Sequence, residues 1–477
     1  VPRDRRLKAG APGAGGRRPP RRRPRDARWL HRSIDAGYLS LLVLAAPWAA
    51  ARMATDAKAR SRWRAYLRDL AARFGRRRRR GGDAPCAWVH GVSVGEIKAA
   101  ARLVESIERE VPGVEVVVSA TTDTGYRVAR ERFPGRRVDF YPPDVSGVVE
   151  SALDRLRPDL VVLVESEFWP NFLTSTAERG IPVVLVNGKM SERSAARFRR
   201  TGPLGRRLLA SLDCLCVQLP AYADRFRALG VASERIRVTG NLKLDNIPIG
   251  ADRARTDHYA SLLGLGDGRP LWVAGSTHPP EERAVGRVLR RLRADAGPLR
   301  LVVAPRHPSR ADAVEADLRR EGLAVVRRSA VLPGRPPSPD DVVLLDTVGE
   351  LEALYALADV VFVGGSLVPH GGQNMMEPAS LGKPVVVGPH TSNFRGEVDL
   401  LLGAGGLVQA DDEDALRATL VGWLRDPGSA AEVGRRGREA ILSGKGATER
   451  TVEAVRPWLA RLATRAGGRA PRRSAVS

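Results

Sequence analysis

From residue 85 onward the chain alternates short β-branched runs with amphipathic stretches, and this alternation limits the fold more than any other feature. The runs fall at 86–90, 114–119, 160–164 and 182–186, with a second series at 271–275, 299–304, 342–345, 360–364 and 384–388. Between them lie helix-periodic stretches such as 97–109, 281–293, 311–321 and 413–425. Strands that alternate with helices build parallel sheets from βαβ units, covered on both faces. Residues 241–270, with Pro248, several glycines and many charges, separate the two series. The full 477 residues exceed what one hydrophobic core usually organises. The reading is therefore α/β, with two Rossmann-like doubly wound domains facing a cleft and ligands held at the C-terminal strand ends. The expected divisions are a basic arm at 1–33, an anchoring segment at 34–80, a first domain at 81–250, a second at 251–460 and a basic tail at 461–477.

The charge is concentrated at the N-terminal end. Residues 1–80 hold 24 Lys and Arg against 5 Asp and Glu, which accounts for +19 of the formal +24. A basic arm on a nearly neutral body points to an anionic surface as partner rather than to a nucleic-acid groove. Residues 36–51 (AGYLSLLVLAAPWAAA) carry no charge. As a helix they would reach roughly 24 Å, short of the ~30 Å hydrocarbon core of a bilayer. The following stretch mixes Trp63, Tyr66, Leu67, Leu70 and Phe74 with arginines, as interfacial helices do. Residues 34–75 therefore read as a monotopic anchor on the cytoplasmic leaflet, where anionic lipids attract arginine. A single-span signal anchor is the competing reading, and both leave the domains cytoplasmic. A cleaved signal peptide is not expected, since no small-residue cleavage site precedes a polar start. Cys86, Cys214 and Cys216 cannot form a disulfide framework and read as buried thiols of a reducing compartment. The seven histidines lack metal-ligand spacing, so no metal is expected, and His90, His307 and His390 read as structural imidazoles.

Several motifs follow the strands. W-V-H-G-V-S-V-G-E at 88–96 runs from a strand through a Gly-rich turn into a helix. Its G-V-S-V-G formally matches the nucleophile elbow of serine hydrolases, with Ser93 as nucleophile. The competing group is Glu96, a carboxylate at a helix start, which the dipole and backbone N–H groups favour as the anion. V-E-S-E-F-W-P-N at 164–171 brings Glu165 and Glu167, which on extended chain point to opposite sides, so that one of them faces a substrate. G-N-L-K-L-D at 240–245 offers Lys243 to an anion. In the second half, A-P-R-H-P-S-R (304–310) supplies arginine for phosphate or carboxylate. G-G-S-L-V-P-H-G-G-Q-N-M-M-E-P-A (364–379) is a Gly-rich loop whose N–H groups can cradle phosphate, with Glu377 placed for ribose hydroxyls.

Together these motifs resemble the 3-deoxy-D-manno-octulosonic acid (Kdo) transferases, inverting glycosyltransferases of the GT-B fold that begin the lipopolysaccharide core. The match spans about 36–460 and takes in H-G-V-S-V-G-E, T-x-T-G (122–125), E-S-E-F-W-P-N, S-E-R-S (191–194), G-N-L-K-L-D, S-T-H, P-R-H-P, G-E-L, G-G-Q-N-M-M-E-P and G-P-H-T-S-N-F (388–394). The resemblance implies Glu96 as catalytic base, with Glu165 and Lys243 steadying the transition state. It places CMP contacts on Pro305 and Arg306, on Val348, Gly349 and Glu350, and on Asn374, Met375, Met376 and Glu377. It implies CMP-Kdo as donor without a metal, a lipid A precursor (lipid IVA) as acceptor, and an inner-membrane location on the cytoplasmic face among anionic lipids. The chain departs from the family at three places: Lys189 where arginine is usual, Gln373 for histidine, and Met375-Met376 for Pro-Leu.

The chemistry agrees with these parts. A phosphate leaving group needs positive electrostatics and positioning, and a sugar hydroxyl needs a base at attack. Three other classes remain open at this level: another GT-B nucleotide-sugar enzyme such as an epimerase, a Ser93 hydrolase with Asp and His following in order, and a non-enzymatic membrane or polyanion binder.

Overall fold

A computed structural model describes residues 27–56, 60, 63, 64, 73, 79–165 and 167–467. Residues 1–26 of the basic arm, most of 57–78, Ser166 and the basic tail from 468 lie outside the described residues. Among the described residues, fourteen strands form two parallel sheets of seven. The first contains β1 (Cys86–Gly91), β2 (Glu115–Ala120), β3 (Arg137–Phe140), β4 (Leu160–Val164), β5 (Val183–Gly188), β6 (Cys214–Val217) and β7 (Ile236–Val238), in the order β3-β2-β1-β4-β5-β6-β7. The second contains β8 (Leu271–Thr277), β9 (Arg300–Pro305), β10 (Val325–Arg327), β11 (Val342–Leu344), β12 (Val360–Val363), β13 (Val385–Val387) and β14 (Val408–Gln409), in the order β10-β11-β9-β8-β12-β13-β14. Two doubly wound units in tandem make this the GT-B α/β fold.

The central strands are buried on both faces, which is why they read as unbroken apolar runs. In the second sheet Trp272, Leu301 and Phe362 enter one core, while Val273, Val302, Val361 and Val363 enter the other. In the first, Trp88 packs edge-on against Phe172 at 5.2 Å between ring centroids. The three cysteines are buried free thiols.

Five strands escape the pattern: β3, β6, β7, β10 and β14. Four of them are the outer strands of the two sheets. An outer strand can leave polar side chains in water, so RVDF, IRV, VVR and VQ carry little apolar signal. The fifth, CLCV, is only 4 residues long.

Residues up to Thr239, together with those from Arg450, form one compact unit, and Gly240–Glu449 form the other. The sequence-based divisions stood at 250 and 460. The chain rejoins the first unit at Arg450, whose Nε donates to Thr239 O at 2.9 Å, and Arg465 pairs with Asp159 beside β4. Within the second unit, Asp245 accepts from Gly446 N at 2.8 Å and from Thr448 N and Oγ1, each at 2.6 Å.

The N-terminal helix α1 (Ala27–Thr55) is longer than the uncharged stretch 36–51 and carries Pro47 inside it. Its first turns dock on the first unit through His31, Asp35 and Tyr38. Beyond Tyr38, Leu39, Leu41, Val43, Leu44 and Trp48 are all exposed, Leu44 by 77%. Among the described residues no helix is long and apolar enough to cross a membrane.

The layering gives a test of where stability resides. Leu163 lies at the centre of the first sheet with no exposure, whereas Val238 on the outer strand β7 is 44% exposed. Leu163→Ala is expected to cost about 2–5 kcal/mol in urea unfolding. Val238→Ala is expected to cost no more than about 0.5 kcal/mol, as surface substitutions usually do. Equal costs would contradict this layering.

Candidate active site

The strand order of the first sheet reverses between β1 and β4, and crevices at such points receive ligands in open α/β sheets. Both leading carboxylate motifs leave the sheet there. After Gly91 the chain turns through Val92 and Ser93 into α2 (Val94–Glu110). Ser93 caps that helix: its hydroxyl accepts from Glu96 N at 3.5 Å and donates to Glu96 Oε1 at 2.9 Å. Glu96 Oε2 accepts from Val92 N at 2.7 Å, a variant of the capping box that ties the carboxylate to the turn before it. Gly91 suits this approach, because a Cβ there would stand 3.0 Å from Glu96 Cβ, closer than side chains ordinarily pack. Among the described residues no imidazole is bonded to Ser93, so the hydroxyl serves as a cap and lacks the base that a nucleophilic serine needs.

The helix-start argument favours an ionised Glu96, but burial outweighs it. Burial pushes the Glu96 carboxyl above its ordinary value; the Val92 N–H opposes this, and the nearby charges of Glu165 and Lys189 act in opposite senses. A carboxylate raised towards neutrality is a stronger base than one stabilised as the anion.

Glu165 and Glu167 do not follow the alternation of an extended strand. β4 ends at Val164, and Glu165 takes a left-handed conformation with φ 69°. Its buried carboxylate pairs with Lys189 Nζ at 2.5 Å. Glu167 accepts from Trp169 Nε1 at 2.6 Å, yet burial and the charges of Glu96 and Glu165 push it up to about 7. Three carboxylates and one lysine therefore form a single electrostatic group, and Lys189, where the resemblance implies arginine, is its cation. The extended chain expected from the spacing is replaced here by a turn. The positive φ that turns the chain has no signal in the sequence, because the residue there is not glycine. Beneath the loop, buried His90 stacks on Tyr141 at 3.7 Å and meets Ser119 Oγ at 3.0 Å, and burial lowers its pKa to about 3. It is a neutral structural imidazole, whereas His307 and His390 are exposed.

In the second sheet the order reverses between β8 and β12. The expected nucleotide contacts lie at or beyond the C-terminal ends of β9, β11 and β12. Pro305 closes β9, and Arg306 follows it with an exposed side chain. Val348 is 86% exposed. Gly349 O accepts from Arg255, and Glu350 pairs with Arg328 at 2.8 Å. Asn374 Nδ2 donates to Glu377 Oε1 at 2.8 Å, while its Oδ1 accepts from Met376 N at 3.1 Å. Met375 and Met376 are buried in the core, so their side chains are closed to a ligand.

The Gly-rich loop differs from the expected phosphate cradle. The amides of Gly365, Ser366 and Leu367 are already taken by Glu281, at 2.7, 2.9 and 2.9 Å. Glu281, at the start of α3 (Glu281–Ala296), also accepts from His278 N at 2.8 Å. This buried carboxylate shapes the loop and was missed from the sequence, although its place three residues after S-T-H has the spacing of a cap. Gly371, at φ 91°, allows Asn393 to close over the loop, since a Cβ there would meet Asn393 Nδ2 at 2.4 Å. Gln373, another departure from the family, meets His278 Nε2 at 3.1 Å, and His278 stacks on His370 at 4.3 Å. Lys243 falls in this second unit, on the short helix Leu242–Asp245, 3.6 Å from Glu397. Among the described residues no group of His, Cys, Asp and Glu could hold a metal ion.

Residues 68–246 match the family described as 3-Deoxy-D-manno-octulosonic-acid transferase (kdotransferase). The chain is 36% identical over 407 residues to the 3-deoxy-D-manno-octulosonic acid transferase of Bordetella pertussis, covering 81% of this chain and 91% of that one. It is 31% identical over 403 residues to the enzyme of the same name from Haemophilus influenzae, covering 83% and 92%. Among solved structures, UDP-GlcNAc 2-epimerase from Neisseria meningitidis superposes with a TM-score of 0.52 at 14% identity, over 78% of this chain and all of that one. That likeness shows the fold, and the much higher identity to the transferases decides between them. With about a third of its residues shared over nine-tenths of its relatives' length, the chain belongs to the Kdo transferase family of glycosyltransferases.

Proposed function

We propose that the protein transfers Kdo from CMP-Kdo to a lipid A precursor (lipid IVA) with inversion, releasing CMP, and that Glu96 is the general base. The observation that carries this reading is the Glu96 carboxylate. It is partly buried at the reversal point of the first sheet, tied to the Val92 amide and raised in pKa by burial. An acceptor hydroxyl attacks the anomeric carbon of Kdo and passes its proton to Glu96 as the new C–O bond forms. The bond from that carbon to the CMP phosphate breaks, and the electron pair leaves with CMP. One displacement from the face opposite the leaving group inverts the anomeric centre. Glu165, held by Lys189, contributes negative charge beside the carbon as positive charge develops there. Lys243 and Arg306 supply positive charge for the departing phosphate, while Glu350, Asn374 and Glu377 with the backbone around Val348, Gly349, Met375 and Met376 orient the nucleotide beside Pro305. A second reading makes Glu167 the base, and the observation favouring it is a carboxyl pushed up to about 7.

The acceptor carries acyl chains, so the enzyme has to work at a lipid surface. The exposed Leu39, Leu41, Val43, Leu44 and Trp48 of α1, with Arg52 beside Trp48, fit a helix seated in the headgroup region. This supports a monotopic location on the cytoplasmic face of the inner membrane, among anionic lipids.

Glu96→Gln is expected to lower kcat by ~10²–10⁴-fold, the usual cost of removing a general base. CMP affinity measured by calorimetry should be unchanged. Near-normal turnover would reassign the base, and the same loss in Glu167→Gln with normal Glu96→Gln would assign it to Glu167.

The base must be ionised to act, so kcat/KM should fall as the pH drops through a pKa above the ordinary carboxylate range. Lys189 favours the ionised form of Glu96. Lys189→Met should therefore move the acid limb of the pH–rate profile to higher pH, and a limb that stays in place or moves down would contradict the assignment.

At the membrane, Leu41→Asn combined with Leu44→Asn should reduce co-sedimentation with anionic vesicles while CMP affinity is kept. Binding should also weaken with added salt, because arginine–lipid attraction is screened within about 10 Å at 0.1 M. Undiminished vesicle binding by the double variant would place the lipid-facing surface elsewhere.

A further inference from the structure

Helix α1 is joined to the first unit by a polar cluster that the proposed reaction does not use. Asp35 accepts from Ser146 N at 3.1 Å, Ser146 Oγ at 2.5 Å and Asn171 Nδ2 at 2.9 Å. Tyr38 donates to Asp144 Oδ2 at 2.9 Å, and the ring of His31 meets Asn171 Oδ1 at 2.7 Å through Nδ1. Asn171 has no exposure, and His31 and Asp144 are 5% and 7% exposed. Apolar packing would serve simple attachment as well, whereas a buried hydrogen-bonded network fixes one register.

The target of this network is specific. Asn171 and Phe172 open α4 (Pro170–Glu178), the helix that directly follows the loop bearing Glu165 and Glu167. Its N-cap residue, Trp169, makes no side-chain capping bond. Asp144 takes that role from a distance, accepting from Asn171 N at 3.0 Å and Phe172 N at 2.8 Å. Trp169 in turn holds Glu167. Hydrogen bonds thus lead from α1 through Asp144 and Asn171 to the start of α4, and the main chain through Pro170 joins that start to Trp169, which holds Glu167. The exposed apolar segment begins at Leu39, the residue after Tyr38.

We propose that Asp35, Tyr38, Asp144 and Asn171 form a positioning latch through which the lipid-facing helix sets the geometry of the loop carrying Glu165 and Glu167. The latch makes α1 part of the catalytic apparatus as well as an attachment. Whatever surface seats Leu39–Leu44 also seats, within one helical turn, the residues that fix α4. The proposal rests on the reading of Glu96, Glu165 and Glu167 as the reacting side of the enzyme.

The test uses the full chain with a detergent-dispersed acceptor, so that membrane concentration plays no part. Asp35→Ala removes three accepted hydrogen bonds and should lower kcat by about tenfold to a hundredfold, the scale of a small misplacement of reacting groups. KM for CMP-Kdo and binding to anionic vesicles should be unchanged. Asp35→Asn retains an accepting oxygen and should recover a large part of kcat. Hydrogen exchange at the Asn171 and Phe172 amides should quicken in Asp35→Ala. Normal kcat in Asp35→Ala would overturn the latch, as would equal losses in the Ala and Asn variants. Should Asp35→Ala fail to fold, Tyr38→Phe carries the test: a several-fold loss of kcat with faster exchange at Phe172 supports the latch, and normal values of both overturn it. Failure of the underlying reading looks different, since it appears as normal turnover in both Glu96→Gln and Glu167→Gln.

Discussion

Burying a carboxylate requires either partners or a proton, and the organisation of this protein depends on how that requirement is met at a few positions. The chain is rich in arginine, yet several of its buried acids are held by backbone amides. Glu281 accepts four of them and shapes the Gly-rich loop. Asp144 accepts two and caps the helix that follows the loop of Glu165 and Glu167, and Asp245 accepts two more at the end of the second unit's chain path. Amides do not move as arginine side chains do, so each bond fixes a segment of main chain instead of a rotamer.

A raised pKa does not by itself separate structural from chemical carboxylates. Burial lifts Glu281 even though four amides oppose it. Geometry makes the distinction. The Glu281 carboxylate is enclosed by the loop it organises, with two backbone amides on each oxygen. Glu96 has one amide and one hydroxyl, lies at the point where the strand order reverses, and has Glu165, Glu167 and Lys189 as electrostatic neighbours. The second arrangement leaves a carboxylate whose ionisation responds to neighbouring charge, which is the property proton transfer uses.

Fold and family carry different information here. The epimerase shares the arrangement of two doubly wound units at 14% identity, and such folds host many chemistries. The transferases share about a third of the residues over most of the chain, and that identity decides the family. Two of the departures that the resemblance implies, at Lys189 and Gln373, lie beyond strand ends. Lys189 sets a point charge on Glu165, where the resemblance implies the planar fork of arginine. Gln373 keeps a polar contact to His278.

The central strands were legible because a strand covered on both faces can hold little except apolar residues, as at 160–164 and 360–364. The outer strands were not, since solvent on one side relaxes that demand, and β14 is reduced to Val408–Gln409. Glu96 and Glu165 could be picked out because a carboxylate just beyond a strand already stands where ligands bind. Glu167 could not be grouped with them, because the left-handed turn at Glu165 is set by packing around the loop and leaves no mark in residue type. The hold of Glu281 on Gly365–Leu367 was equally hidden, and so was the bond between Asp35 and Asn171, whose partners are 136 positions apart. Local pattern reports which residues a strand or helix can bury, whereas a contact between distant segments exists only once the sheet has brought their ends together.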